Sequence, residues 1–404
     1  MFQPVDVARR RVVSATLAHA ATIPFYRAAW GGRVLPLSRV PLLDKSTAAA
    51  EQQQLRYPGE AAAVGVISSS TTRDGRPLRV LRRAVPEAPQ VAHAGQAGIE
   101  VLRIISPRHG LLTTSASDEL VVAATLHDTF VELVIDLLRE HRPPQLVVPL
   151  STLKWLTAAI EQRGVSLASL APRVISVTGY PLTTSARAWL ATAWRTALVD
   201  HWSMSELSGH TQPCRHCGAA HWVGAALHAE VITPSSAKRT VLQTGRVGEL
   251  VVTTLLPEAA AMPLVRYRTG DLVEVGPPCR AYDGARGVIV RGRSSHSIVV
   301  GDRVLAASGA LLELGESLAD VAQVPHPAEL LGLVRAADLG VPKITARLDA
   351  GVPVVDVELR YHPARFAQRA REVVAAVRGV VADEVSVRVH PPGSLELQRL
   401  MRKL

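Results

Sequence analysis

Between residues 61 and 179, short β-like runs alternate with longer helical patterns, and this alternation most narrows the folds open to the chain. The runs are AAAVGVI (61–67), PLRVLRR (77–83), IEVLRII (99–105), QLVVPL (145–150) and RVISVTG (173–179). Among and after them, DELVVAATLHDTFVELVIDLLREH and ARAWLATAWRTALVDHW read as helices. Strands alternating with helices predict an α/β domain with a largely parallel sheet. Residues 1–60 read as helical, broken at Pro24 and across PLSRVPLLDK. After about residue 222 the pattern turns strand-rich (ALHAEVIT, GELVVTTL, DLVEVG, RGVIVRG), which predicts an antiparallel or barrel-like subdomain. The last hundred residues change again: ITARLDAG, VVDVELRYH, a helix over ARFAQRAREVVAAVRG, then VSVRVHPPG. They predict a separate small α+β module with its boundary near Arg293. A chain of 404 residues is too long for one hydrophobic core, so at least two domains are expected.

The composition, 48% hydrophobic and 20% charged, is that of a globular protein. The most apolar stretch, VVAATLHDTFVELVIDLL (121–138), carries His127, Asp128, Glu132 and Asp136, and so reads as a buried amphipathic helix, not a membrane span. Arg9, Arg10 and Arg11 before VVSATLAHAA imitate a secretory signal, but His19 interrupts the apolar run, and the stretch reads as mature protein. The formal net charge of +10 raises a nucleic-acid partner. Against it, the basic residues are scattered and no aromatic-interleaved basic stretch occurs. No nucleic-acid and no membrane partner is expected. The three cysteines do not make a disulfide framework, and the expected compartment is reducing and cytoplasmic.

Two of those cysteines lie in His210-Thr-Gln-Pro-Cys214-Arg-His216-Cys217-Gly218-Ala-Ala-His221. A CxxCG knuckle lets its glycine turn two thiolates towards one cation. Cys214, Cys217, His221 and the remaining cysteine, Cys279 in GPPCR, would complete a closed tetrahedral site for structural Zn²⁺. His210 and His216 are reserve ligands, and reduced, unliganded thiols are the other reading.

The polar landmarks follow one another as SSSTTRDGRP (68–77), TGYPLTTSAR (178–187), HWSMSELSG (201–209), YRTGDL (267–272) and GRSSHSIVV (292–300). That order and spacing resembles the adenylate-forming ligases that activate carboxylic acids with ATP, and within them the phenylacetate–coenzyme A ligases. IPFYRAAW (23–30), VPLLDKSTAAAEQ (40–52), VVDVELRYHPARF and VHPPGSL also fit, so the resemblance runs along nearly the whole chain. YRTGDL is its most specific motif. The resemblance implies a large N-terminal adenylate-forming core over 1–292, with parallel α/β sheets and a small β-barrel-like subdomain. A small mobile C-terminal α+β lid would span 293–404.

It also implies chemistry: ATP and Mg²⁺ turn a small carboxylic acid, aryl or short-chain, into an acyl-AMP, which passes to coenzyme A or another nucleophile. Specialised metabolism is the expected setting and a homodimer the expected assembly. Asp271 would accept hydrogen bonds from the ribose diol; Thr-Gly-Asp is also good turn chemistry between two strands. In Trp202-Ser203-Met204-Ser205-Glu206, Trp202 would stack on adenine, Ser203 and Ser205 would line the phosphate, and Glu206 would hold Mg²⁺. The same residues would also suit a helix N-cap. Gly179, Tyr180 and Pro181 would line the adenine pocket, and Arg293 would follow the hinge glycine. Ser69, Ser70, Thr71 and Thr72 would form the hydroxyl-rich phosphate loop.

Three features depart from the family pattern. Ser70 stands where the family has a glycine, and Arg73-Asp74 reads as an insertion. Met401 falls on the place of the catalytic lysine, with Lys403 two residues on as its substitute. Ser294-Ser295-His296 replaces an acidic hinge. These departures support an alternative, a catalytically degenerate homologue that binds nucleotide or acyl ligand as a partner or regulatory protein.

Overall fold

The computed structural model describes residues 7–59, 68–71, 77–81, 99–105, 118–224, 226–233, 243–335 and 338–395. The chain divides into two compact units, each discontinuous in sequence. One comprises Met1–Ala97, Pro107–Ser115 and Trp202–Val290; the other comprises Gly98–Ser106, Ala116–His201 and Arg291–Leu404.

The first unit is built on a six-stranded sheet. Its spatial order is Leu227–Ile232, Val247–Thr254, Tyr267–Pro278, Arg286–Arg293, Ala220–Gly224 and Gly209–Pro213. The hairpins at the two edges, His210 against Val223 and Ala229 against Val252, run antiparallel, as the strand-rich stretch predicts. Helices Val7–Ala20, Pro24–Ala29 and Lys45–Ala50 supply apolar residues to the core beside this sheet, among them Leu17, Tyr26 and Ala48. Pro24 sits in the first turn of its helix, where its missing N–H costs nothing. Asp44 caps the next helix, its carboxylate accepting from the Thr47 N–H at 2.8 Å. Leu43 forms a bridge to Tyr267: its N–H donates to the Arg266 carbonyl at 3.0 Å, and the Arg268 N–H returns a bond of 2.9 Å. The Lys45-bearing segment is therefore stitched to the start of YRTGDL.

The second unit holds a five-stranded, wholly parallel sheet. Its order is Glu119–Ala123, Val101–Ile105, Gln145–Pro149, Val174–Thr178 and Ala197–Asp200. Phe130, Val131, Val134, Ile135 and Leu138 of helix Asp128–His141 are buried with it, as are Leu150 and the nine residues from Thr152 to Ile160 of helix Leu150–Gln162. The same unit contains the predicted C-terminal α+β pattern. Ile344–Asp349 pairs antiparallel with Val352–Glu358, and Ser386–His390 lies parallel to the latter after the crossover helix Ala367–Arg378. That helix buries Ala370, Val373 and Val377.

Two predicted helices prove to be strand–helix combinations. DELVVAATLHDTFVELVIDLLREH splits into the strand Glu119–Ala123 and the helix Asp128–His141, so the stretch 121–138 is amphipathic helix only in its second part. The Leu-Val-Val run gains a ladder against Val101–Ile105, and His127 caps the helix by accepting from the Thr129 N–H at 3.2 Å. ARAWLATAWRTALVDHW likewise contains the helix Thr184–Trp194 and then the strand Ala197–Asp200. Arg195, left-handed at φ 50°, ends the helix, and a parallel ladder on Val174–Thr178 claims the residues after it. In both, a short apolar run reads alike as helix or strand until a partner strand is present. YRTGDL is not a turn between strands: it lies within the strand Tyr267–Pro278.

Candidate functional site

In the first unit, the register against Val247–Thr254 slips so that Arg268 faces Val251 while Leu272 faces Glu249. Thr269, Gly270 and Asp271 form the bulge between these pairs, with Gly270 at φ 74°, a backbone angle glycine reaches without steric penalty. Thr269 Oγ1 anchors the bulge by donating to the Leu250 carbonyl at 2.8 Å and accepting from the Asp271 N–H at 3.1 Å. The bulge aims Asp271, only 5% exposed, at Trp202, whose indole Nε1–H donates to Asp271 Oδ2 at 3.2 Å. Trp202 is held in turn by its own backbone: its N–H donates to Thr211 Oγ1 at 3.0 Å, and its carbonyl accepts from the Thr211 N–H at 2.7 Å. Its ring meets Trp222 edge-on, 6.1 Å between centroids.

Glu206 belongs to the same unit and is 2% exposed. Its Oε1 accepts from the Tyr267 hydroxyl at 2.9 Å and faces Lys45 Nζ at 3.1 Å. Burial alone would favour the neutral acid, but the Lys45 ammonium and the two hydrogen bonds outweigh it and hold the pKa of Glu206 below the ordinary carboxylate value. A buried acid kept anionic in this way can serve a divalent cation through its other oxygen. Lys45 and Tyr267, named in the sequence only as parts of motifs, are thus members of the site. The available signal was that Lys45 stands beside the capping Asp44 and that Tyr267 opens YRTGDL. Ser203 is exposed, Ser205 is half-buried, and the WSMSE segment is a turn, not a helix start.

Ser69, Ser70 and Thr71 lie on the strand Ser68–Thr71, which pairs antiparallel with Pro77–Val80, so the hydroxyl-rich stretch is one arm of a hairpin. Thr72 and Lys403 lie outside the described residues.

In the second unit, Gly179, Tyr180 and Pro181 follow the parallel strand Val174–Thr178, with Gly179 at φ 82°. Ligands of open parallel sheets bind in this position, outside the carboxyl ends of the strands. Burial, then the nearby Glu316 carboxylate, pushes the Tyr180 phenol up to about 12, so it is neutral. Glu316 also accepts from Thr183 and pairs with Lys154 at 3.2 Å. Glu313 receives the Thr184 N–H at 2.9 Å on each oxygen. Arg293 is extended; its N–H donates to Ser308 Oγ at 2.9 Å and its carbonyl accepts from Ser297 Oγ at 2.7 Å. Gly292 before it, at φ 119°, would bring a Cβ to 2.2 Å from Ser308 Oγ and 2.6 Å from Gly309 N, so glycine is required there.

The four predicted zinc ligands come together in the first unit. Cys214 and Cys217 sit in the turn between the strands Gly209–Pro213 and Ala220–Gly224, closed by the Gly218 N–H on the Cys214 carbonyl at 2.9 Å, with Gly218 at φ 69°. His221 comes from the second strand, and Cys279 follows Tyr267–Pro278. All four ligand atoms lie within 4.8 Å of one another, with Cys214 Sγ to Cys279 Sγ at 3.6 Å and Cys217 Sγ to His221 Nε2 at 3.2 Å. A tetrahedron with Zn–S of about 2.3 Å has edges of roughly 3.5–3.8 Å. These separations suit one shared ion and are far too long for a disulfide, for which S–S is about 2.05 Å. Burial lowers the pKa of His221 to about 4, and the neutral ring stacks on Tyr282 at 3.9 Å. His210 and His216 stand outside this cluster.

No family model matches the chain. Over 173 residues it is 30% identical to phenylacetate–coenzyme A ligase of Aromatoleum evansii, a match covering 42% of this chain and 38% of that protein. A second phenylacetate–coenzyme A ligase, from Pseudomonas putida, is 30% identical over 150 residues, 36% of this chain and 33% of that protein. These matches span 38% and 33% of the length of the two relatives. Among solved structures, 2-hydroxyisobutyryl-CoA ligase in an open conformation with 2-HIB-AMP and CoA superposes with a TM-score of 0.66 at 13% identity, covering 98% of this chain and 90% of that one. Anthranilate CoA ligase in complex with anthranoyl-AMP gives 0.50 at 12% identity, covering 80% and 63%. The chain has the fold of the adenylate-forming ligases, and part of its sequence is phenylacetate–coenzyme A ligase-like.

Proposed function

We propose that this protein uses ATP to activate a small carboxylic acid, aryl or short-chain, as its acyl-AMP and passes the acyl group to coenzyme A or another nucleophile. The observation that carries this reading is the convergence, on one bulged strand, of an indole hydrogen-bonded to the Asp271 carboxylate and a buried anionic Glu206 beside Lys45. Asp271 would bind the ribose diol, Trp202 the adenine face and Ser205 the α-phosphate. Mg²⁺, when bound through Glu206, would neutralise charge on the phosphate oxygens as pyrophosphate leaves. Within the second unit, Gly179, Tyr180 and Pro181 are proposed as adenine-contacting residues, Arg293 as a residue for ribose or phosphate, and Gly292 as the hinge of a lid over 293–404. Cys214, Cys217, His221 and Cys279 would hold a structural Zn²⁺ with no coordination position left for water.

The rival reading, a degenerate homologue that only binds nucleotide, rests on Met401 at the lysine position and Ser70 in the phosphate loop. Acid-dependent exchange of labelled pyrophosphate into ATP, run with phenylacetate, benzoate and 2-hydroxyisobutyrate, separates the two. Exchange above background supports the ligase. ATP binding by calorimetry without exchange supports the degenerate homologue. Asp271→Ala should weaken ATP binding at least tenfold, and unchanged affinity would remove Asp271 from the site.

A further inference from the structure

In the first unit, the two ring nitrogens of His221 have different surroundings. Nε2 lies 3.2 Å from Cys217 Sγ, among the ligand atoms of the cysteine cluster. Nδ1 is buried, and among the described residues no hydrogen bond reaches it. With the Nε2 lone pair given to a cation, the ring proton sits on Nδ1. A metal-binding imidazole ordinarily donates that proton to a carboxylate, a carbonyl or a water, and the bond fixes the plane of the ring. Here a different contact holds the plane. The phenol ring of Tyr282 lies 3.9 Å from the imidazole, centroid to centroid, with the two planes 2° apart. In rings so nearly parallel the Nδ1–H points sideways in its own plane, so the phenol face does not accept it. The contact is a stack, not a hydrogen bond.

Tyr282 reaches this place through the turn that carries Cys279. The N–H groups of Tyr282 and Gly284 donate to the Cys279 carbonyl at 3.2 Å and 2.9 Å, and the Cys279 N–H donates to the Ala285 carbonyl at 3.0 Å. Asp283 at φ 49° and Gly284 at φ 76° turn the chain between them. One short loop thus brings both a thiol and an aromatic face to the cluster.

We propose that Tyr282 is the positioning residue of this metal centre: its ring clamps the His221 imidazole so that Nε2 points at the shared ion, in place of the missing hydrogen bond on Nδ1. The inference rests on the reading of the cluster as a zinc site. A cation on Nε2 draws electron density out of the imidazole, and the negative face of the phenol then attracts that ring more strongly. The clamp therefore favours the metal-loaded state over the empty one. The aromatic face, not the hydroxyl, carries the effect.

The test titrates the zinc-loaded full chain with a chromophoric zinc chelator at one fixed pH. In Y282L and Y282Q the zinc affinity should fall about 10–100-fold, the usual size of a lost outer-shell contact to a metal ligand. Y282F keeps the face and should stay within about threefold of wild type. Replacing zinc by Co²⁺ adds a spectroscopic readout. The ligand-field bands of Y282F should match those of the wild type, and those of Y282L and Y282Q should shift as the imidazole tilts away from the ion. A merely structural role would lower thermal stability without moving these bands. Affinity within about threefold of wild type in Y282L and Y282Q, unshifted bands in both, or a fall in Y282F as large as theirs overturns the inference alone. A wild-type chain that holds no zinc and takes up none overturns the zinc reading and this inference with it.

Discussion

At the residue scale, Glu206 carries the most electrostatic consequence. It is a buried acid whose charge is retained because Lys45 and Tyr267 meet it on one oxygen. Removing one member of a buried pair leaves the other desolvated without compensation, so Lys45→Met should cost about 3 kcal/mol in denaturant unfolding. The pH dependence has a definite sign. The folded pKa of Glu206 lies below its unfolded value, so its contribution is fully present above the unfolded pKa of about 4.3 and is lost as pH falls through the lower folded value. Glu206→Gln should therefore flatten the acid limb of the stability curve below about pH 4.3, while that limb steepens in the wild type. Equal slopes in the two proteins would show that Lys45 does not hold this charge. Asp271 and Trp202 were legible in the sequence because the motifs around them are local. The partners of Glu206 were not, because Lys45 and Tyr267 lie far away in the chain and reach it only through the bridge between Leu43 and Tyr267.

At the element scale, the devices that aim side chains are a bulge, a knuckle and a pair of caps. The bulge at Thr269–Asp271 turns good turn chemistry into a change of direction inside a strand. The CxxCG knuckle sets Cys214 and Cys217 in one turn, and His221 and Cys279 join them because the sheet sets Ala220–Gly224 and Tyr267–Pro278 on either side of Arg286–Arg293. A metal there ties a hairpin turn to the end of a third strand. Metal analysis should accordingly find one zinc per chain, and its removal by a strong chelator should lower the melting temperature by several degrees. Absence of zinc, with melting unchanged by chelator, would assign the cluster to plain thiols. Two helices were overextended in the sequence reading for a related reason. The runs around Val121 and Val199 are claimed by parallel ladders, and a ladder partner distant in sequence leaves no local mark.

At the scale of the whole molecule, the order of motifs along the chain and the order of strands in space carry different information. The charge of +10 is spread over both units, in arginines that are often paired, such as Arg266 on Glu230 and Arg268 on Glu249. The protein should therefore pass through a DNA column at physiological salt without specific retention, and salt-sensitive retention would reopen a nucleic-acid role. Among the described residues, no helix is long and apolar enough to cross a membrane. The sequence by itself determined the class of the fold, the strand-rich middle, the α+β character of the final hundred residues and which carboxylates and thiols are candidates for chemistry. Those properties follow from hydrophobic period and from residue types a few positions apart. Only the tertiary structure decided which strand neighbours which, that Lys45 keeps Glu206 ionised, and that His221 and Cys279 join the CxxCG knuckle. Each of these depends on pairing across long stretches of chain, where burial and hydrogen bonding are set by packing and not by local propensity.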